Sequence, residues 1–318
     1  MIDRLVLCGA VAGLLAACQP TAVAPPVAPS PVPTARPAIA PPAPEAVPPS
    51  RASISAALFY RRLEQRLLTE GLLRTDGGGP DTAFGPDTLA RNFERIALFS
   101  EYVQVGGRYV AQQSRAQLRR WAVPVRVQLH FGASVSADRR AQDSATVRSY
   151  VARLRRVSGH PINVVNSGGN YHLFIVNLDE QRTLGPQISA AEPGLSRSTV
   201  AEITGLGKST YCAVYASSTS ANPNTYVSAI SLIRTEHPDL MRQACYHEEI
   251  AQGLGLANDS PAVRPSIFND DEEFALLTRH DELLLRILYD RRLSVGMTAD
   301  EARPIVQQIA RELVSGRL

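Results

Sequence analysis

Residues 248–259 read Glu248-Glu249-Ile250-Ala251-Gln252-Gly253-Leu254-Gly255-Leu256-Ala257-Asn258-Asp259. Glu248 and Gln252 are one helical turn apart and share a face, and Glu249 lies about 100° round from Glu248, beside that face. No lysine or arginine stands three or four residues after either glutamate, so local ion pairs do not explain them. Their helical neighbours are Leu240, Met241, Ala244, Cys245, Ile250, Ala251 and Leu254. Carboxylates on so apolar a helix are costly unless bonded or metal-bound. Pro238 sits where the start of a helix tolerates proline. Gly253 and Gly255 stop the helix, and Asn258-Asp259 come back on a turn. The stretch therefore presents several oxygen ligands and no nitrogen or sulfur.

Upstream, Val125, Val127, Leu129 and Phe131 alternate with Arg126, Gln128 and His130, which marks a half-buried strand. An amphipathic helix is expected over 137–157, with Val147, Tyr150, Val151 and Leu154 inward and its arginines solvated. Strands follow at 161–166 and 171–178, and again at 210–217 and 225–233; 180–209 reads as irregular. Helices are expected at 239–253, 279–289 and 299–314. Before the strand at 125, a helix is read over 52–73 and a second over 88–102, with Asp87 as its cap. Gly106-Gly107 reads as a turn and 114–120 as a short helical piece. Gly205-Leu206-Gly207-Lys208-Ser209 is no phosphate loop, because Glu202 occupies the position that needs glycine.

Set against the zinc-peptidase frame His-Glu-x-x-His-x-x-Gly-x-x-His, the three ligand positions fall on Glu248, Gln252 and Asn258. The catalytic glutamate falls on Glu249 and the turn glycine on Gly255. Ser266-Ile267-Phe268-Asn269-Asp270 resembles the methionine-turn of the metzincin peptidases, with Phe268 in place of the methionine. Leu277-Thr278-Arg279-His280-Asp281 through Leu288-Tyr289 resembles their C-terminal helix. The resemblance covers about 121–290 and implies an α+β fold: a metzincin-like mixed sheet with an active-site-type helix and a C-terminal helical part, preceded by a helical segment over 52–120. The chain also resembles an uncharacterised family of proteobacterial lipoproteins carrying the Glu-Glu-x-x-Gln-x-Leu-Gly-Leu-x-Asn-Asp signature, which implies no activity.

The chemistry departs from the frame. Zinc hydrolases use nitrogen-dominated ligand sets with an open position. One carboxylate and two amide oxygens suit a hard divalent cation, held weakly; alternatively the amides and carboxylates bond each other and form a polar core without metal. Glu249 remains a candidate general base. His247 starts a shifted copy of the motif, but Ala251 then stands at the second ligand position, and His247 reads as an ordinary helix histidine. No two of the other histidines have metal-ligand spacing.

Residues 1–18 read as an export signal ending in Leu15-Ala16-Ala17-Cys18, which looks like a lipobox and implies acylation of Cys18. Gln19 to about Arg51 is Pro/Ala-rich and reads as an extended tether of roughly 90 Å. The domain proper is then 121–318. The expected location is the bacterial cell envelope, lipid-anchored and facing the periplasm. In that oxidising compartment Cys212 and Cys245 form the one possible intramolecular bridge, or else remain two buried thiols. A net charge of +3, with Lys208 the sole lysine, gives no nucleic-acid surface. The expected partners are the membrane, through Cys18, and a peptide or peptidoglycan-related ligand. The expected role is non-catalytic binding or scaffolding, with an oxygen-only metal hydrolase as the alternative.

Overall fold

The computed structural model describes residues 48–105 and 108–316. The expected export signal, Cys18, nearly all of the expected tether and the expected Gly106-Gly107 turn lie outside the described residues. The fold is α+β around a mostly parallel sheet. Strands β3 (Arg120–Trp121), β4 (Val125–Phe131), β5 (Ile162–Val165), β6 (Tyr171–Val176) and β8 (Asn222–Arg234) run in the order β3-β8-β6-β4-β5, with every pairing parallel. β7 (Cys212–Thr219) joins β8 antiparallel. A separate hairpin pairs β1 (Phe99–Val105) with β2 (Arg108–Arg115).

Central β6 is buried along its whole length. Apart from His172, its side chains are apolar or aromatic on both faces, as in parallel strands covered on both sides. Tyr171, Leu173 and Ile175 belong to the main core. There they meet α3 (Ala137–Ser158), α7 (Asp239–Gln252), α8 (Arg279–Leu288), α9 (Ala299–Val314) and α2 (Pro86–Ala97). Phe174 and Val176 face a smaller core formed with Leu184, Ile188 and Ile203. A third cluster seats α1 (Arg51–Thr69) on the start of α7, through Ala56, Tyr60 and Leu63 against Met241. Beside it the exposed Lys208 places its ammonium 5.0 Å from the Phe59 ring centre, while its carbonyl accepts the Tyr60 hydroxyl.

Several expectations need correction. The helix over 88–102 stops at Ala97, and Phe99 onward is a strand. Asp87 lies inside the first turn of α2, whose cap is Gly85 without a side-chain bond. Residues 114–120 are not helical; β2 runs to Arg115 and β3 starts at Arg120. The stretch 180–209 holds three short helices, α4 (Leu178–Gln181), α5 (Gly185–Ala191) and α6 (Arg197–Gly205). Asn177 and Glu180 form a reciprocal capping box that starts α4.

Cys212 at the start of β7 and Cys245 on α7 form a disulfide, with Cα atoms 5.9 Å apart and a sequence separation of 33. Closing a loop of that size removes freedom from the unfolded chain. The Cys212→Ser/Cys245→Ser double variant should lose about 3–4 kcal/mol of unfolding free energy in urea titrations. A loss under about 1 kcal/mol would mean the bridge constrains little that the fold does not already constrain.

Candidate functional site around helix α7

α7 carries the residues of the opening motif, and both its ends are held from outside. At the start, Pro238 offers no side-chain cap. The Glu64 carboxylate of α1 fills that role by accepting the Met241 amide at 3.0 Å. At the end, three aromatic donors, two buried and one half-buried, reach the last carbonyls: the Tyr171 hydroxyl to Glu249 O at 2.6 Å, Trp121 Nε1 to Gly253 O at 2.8 Å, and the half-buried Tyr289 hydroxyl to Leu254 O at 2.9 Å. Gly253 O and Leu254 O lie beyond the helix's last internal bonds, whereas Glu249 O also accepts the Gly253 amide at 2.9 Å, so Tyr171 is its second donor.

Glycine is required in that turn for close approach. A Cβ on Gly253 would lie 2.4 Å from the Tyr171 hydroxyl, and one on Gly255 would lie 2.4 Å from Arg119 O. Gly255 also has φ +125°, a backbone region that other residues seldom adopt.

Each predicted site residue has a distinct setting. Glu249 is buried and Glu248 half-buried. A carboxylate oxygen from each and Cys212 Sγ lie within 4.8 Å of one another. Gln252 Nε2 donates to both carboxylate oxygens of Asp259, at 2.8 and 3.0 Å. Asn258 is fully buried. Its Nδ2 donates to Arg95 O at 2.8 Å and its backbone amide to Ile96 O at 3.1 Å. Asn258 therefore ties off the C-terminal carbonyls of α2.

Phe268 is wholly buried in the main core, and its carbonyl accepts the Ser260 amide. The turn before it is fastened by Asp281, which is also fully buried. Asp281 accepts the Ser266 hydroxyl at 2.6 Å, the Ile267 amide at 3.1 Å and the Thr278 hydroxyl at 2.9 Å.

His247 is a packed neutral imidazole. Its ring stacks on Tyr150 at 3.9 Å, and its Nδ1 accepts the Leu277 amide at 2.9 Å. Burial, helped by Arg153, pulls its pKa down to about 3. At the other end of the helix His237 lies 3.6 Å from Cys245 Sγ, with the Tyr60 ring edge-on at 4.2 Å. Its Nε2 is buried with no hydrogen-bond partner among the described residues.

The donors do not fit a zinc hydrolase centre. Among the described residues, the one group of three or more His, Cys, Asp and Glu is Cys212, Glu248 and Glu249, and the Cys212 sulfur is closed in the disulfide. Two carboxylates remain and no imidazole joins them. Sequence reading missed Trp121, Tyr171 and the linking role of Asp281, and took Asp259 as an oxygen on the turn without pairing it to Gln252. Of those missed, only Asp281 left a trace, in the Thr278-x-x-Asp281 capping spacing.

This chain belongs to the family described as Protein of unknown function (DUF2927). The family model matches residues 86–308. No curated protein and no solved structure matches the chain. The DUF2927 match opens at Pro86, the first residue of α2, and takes in the sheet, α7 and α8. All the residues discussed around the α7 end lie inside it, while α1 and the capping Glu64 stand before it.

Asp281→Ala should be severe, because it strands several buried donors at once; about 3–5 kcal/mol of unfolding free energy is expected to be lost. Denaturant titration measures it, and a cost near zero would show that the turn is held by packing alone.

His237 generates a pH effect. Burial first, then the nearby positive Arg234 and Arg242, pull its pKa down to about 3. Its folded pKa lies below the unfolded value of about 6.5, so its stabilising contribution is complete above about pH 6.5 and is lost as pH falls toward 3. His237→Phe keeps an aromatic ring and removes the titration. It should flatten the plot of stability against pH between 6.5 and 4.5 by up to about 1.4 kcal/mol per pH unit. Parallel slopes for the two proteins would contradict the assignment.

Proposed function

We propose that this DUF2927 domain is a metzincin-like fold whose metal-ligand positions now serve structure, kept as a non-catalytic binding or scaffolding module and held at the bacterial envelope membrane through an acylated Cys18. The observation that carries the reading is the bonding of two of those positions. The Gln252 amide is bound to Asp259, and the Asn258 amide closes the end of α2. Support for the fold kinship comes from the order of elements: strand, helix, several strands, helix α7, the Phe268 turn and helix α8. Phe268 and Tyr289 both pack against the same core as the α7 end.

The ligand we infer is an extended peptide, including the peptide portion of peptidoglycan. β7 pairs with β8 along one edge, and its second edge pairs with no strand among the described residues. An open strand edge accepts an extended chain through main-chain hydrogen bonds. β7 also starts at Cys212, beside the Glu248 and Glu249 carboxylates. A peptide laid along β7 would bring its backbone amides or a basic group to those oxygens.

One observation favours the alternative, an oxygen-only cation site with Glu249 as general base. Asn258 Oδ1 is buried and meets no hydrogen-bond donor among the described residues. Metal analysis of the purified chain separates the two readings. The binding-module reading expects substoichiometric calcium, magnesium and zinc, no cleavage of unfolded protein substrates, and an unfolding midpoint indifferent to EDTA. One equivalent of a divalent cation, lost in Glu248→Ala, would replace that reading with the hydrolase. Anchoring has its own test: Cys18→Ala should move the protein out of the membrane fraction, and retention there would remove the lipid anchor from the proposal.

A further inference from the structure

The opposite face of the sheet carries two histidines that the α7 site does not use. His130 is on β4 and His172 on the adjacent β6. In the parallel register His172 stands across from Gln128 and His130 across from Phe174, so the two histidines are diagonal neighbours on one face. His130 Nε2 and His172 Nδ1 are 2.9 Å apart. His172 is buried and His130 half-buried, which leaves the pair open on one side. Phe174 stacks on the His130 ring with centres 4.6 Å apart and limits its movement. Sequence spacing gives no hint of this pair, because their positions differ by 42.

The spacing has a chemical meaning. Metal–imidazole bonds run at about 2.0–2.1 Å, so one ion holds two nitrogens about 2.9 Å apart at a right angle and about 3.3 Å apart at the tetrahedral angle. The observed separation meets the first value with no movement of the strands. What must change is the tilt of the rings, which now face each other across a hydrogen bond. Burial lowers the pKa of both rings, that of His130 to about 4, so both are neutral near pH 7 and able to ligate.

We propose that His130 and His172 form a two-imidazole site for a first-row transition cation, with Cu2+ bound most tightly. The ion bonds Nε2 and Nδ1 from beside the line that joins them, and the hydrogen they share is displaced. That hydrogen moves through solvent to the far nitrogen of its own ring, so two neutral imidazoles meet the ion and no net proton leaves. Water fills the other positions, since among the described residues no third His, Cys, Asp or Glu joins the pair. Copper stands first by the general order of divalent affinities, and imidazole suits it.

The test uses the full purified chain, alkylated with iodoacetamide so that thiols outside the disulfide are blocked, and copper(II) sulfate as the probe. Electron paramagnetic resonance should show one bound Cu2+ coupled to two imidazole nitrogens. His130→Asn and His172→Asn should each weaken copper binding at least about tenfold, since even outer partners of metal ligands cost that much. His160→Asn, on a histidine outside the pair, should bind as the parent does. Copper bound equally by His130→Asn, or no nitrogen-coupled signal in the parent, would overturn the site. Should circular dichroism show His172→Asn unfolded, the more exposed His130→Asn decides alone.

Discussion

The carbonyls at the C-terminal end of α7 must find donors where water does not reach, because that turn is sunk in the main core. Tyr171, Trp121 and Tyr289 supply them, and each comes from a different element: the central strand, the first short strand of the sheet, and the residue that closes α8. A shift of β3 or of the end of α8 would strand a backbone carbonyl, at a cost of about 1–3 kcal/mol each, and a shift of β6 would remove the second donor to Glu249 O, which keeps the Gly253 amide. The two glycines follow from the same constraint. An aromatic hydroxyl and a carbonyl sit where their side chains would begin.

The same logic governs the polar residues nearby. Asn258 closes one helix end, Asp281 fastens a turn to the start of α8, and Glu64 caps the start of α7. A metal ligand and a backbone cap demand nearly the same thing of a side chain: a short polar group after a helix, aimed inward and free of local competition. Sequence alone does not separate the two roles. Separation requires knowing which backbone groups lie opposite, and those belong to residues far away in the chain.

That is also where legibility ends in this protein. The strands β4, β6 and β8 and the helices α3, α7, α8 and α9 are readable because period-2 and period-3.6 patterns are local. The three helices between Leu178 and Gly205 have 4, 7 and 9 residues, too few turns for a period to register. The strand from Phe99 is masked by the helix pattern that precedes it. At the site, Glu248, Glu249, Gln252 and Gly255 stand out in the sequence, since carboxylates and glycines in an apolar run are conspicuous. Their partners Tyr171, Trp121 and Asp259 look ordinary, because an aromatic in a strand or an aspartate in a loop needs no special explanation. The disulfide is legible through elimination on the expectation that Cys8 leaves with an export signal and Cys18 is acylated, which leaves Cys212 and Cys245.

Lys208 carries an experimental opportunity. It is exposed, it lies over the Phe59 ring, and its carbonyl holds Tyr60. As the sole lysine of the chain, it offers the one side-chain amine, so an amine-reactive fluorophore used with the α-amine blocked would go to a single known spot beside α1. Any detachment of that helix from the rest of the molecule could then be followed optically, with no residue replaced.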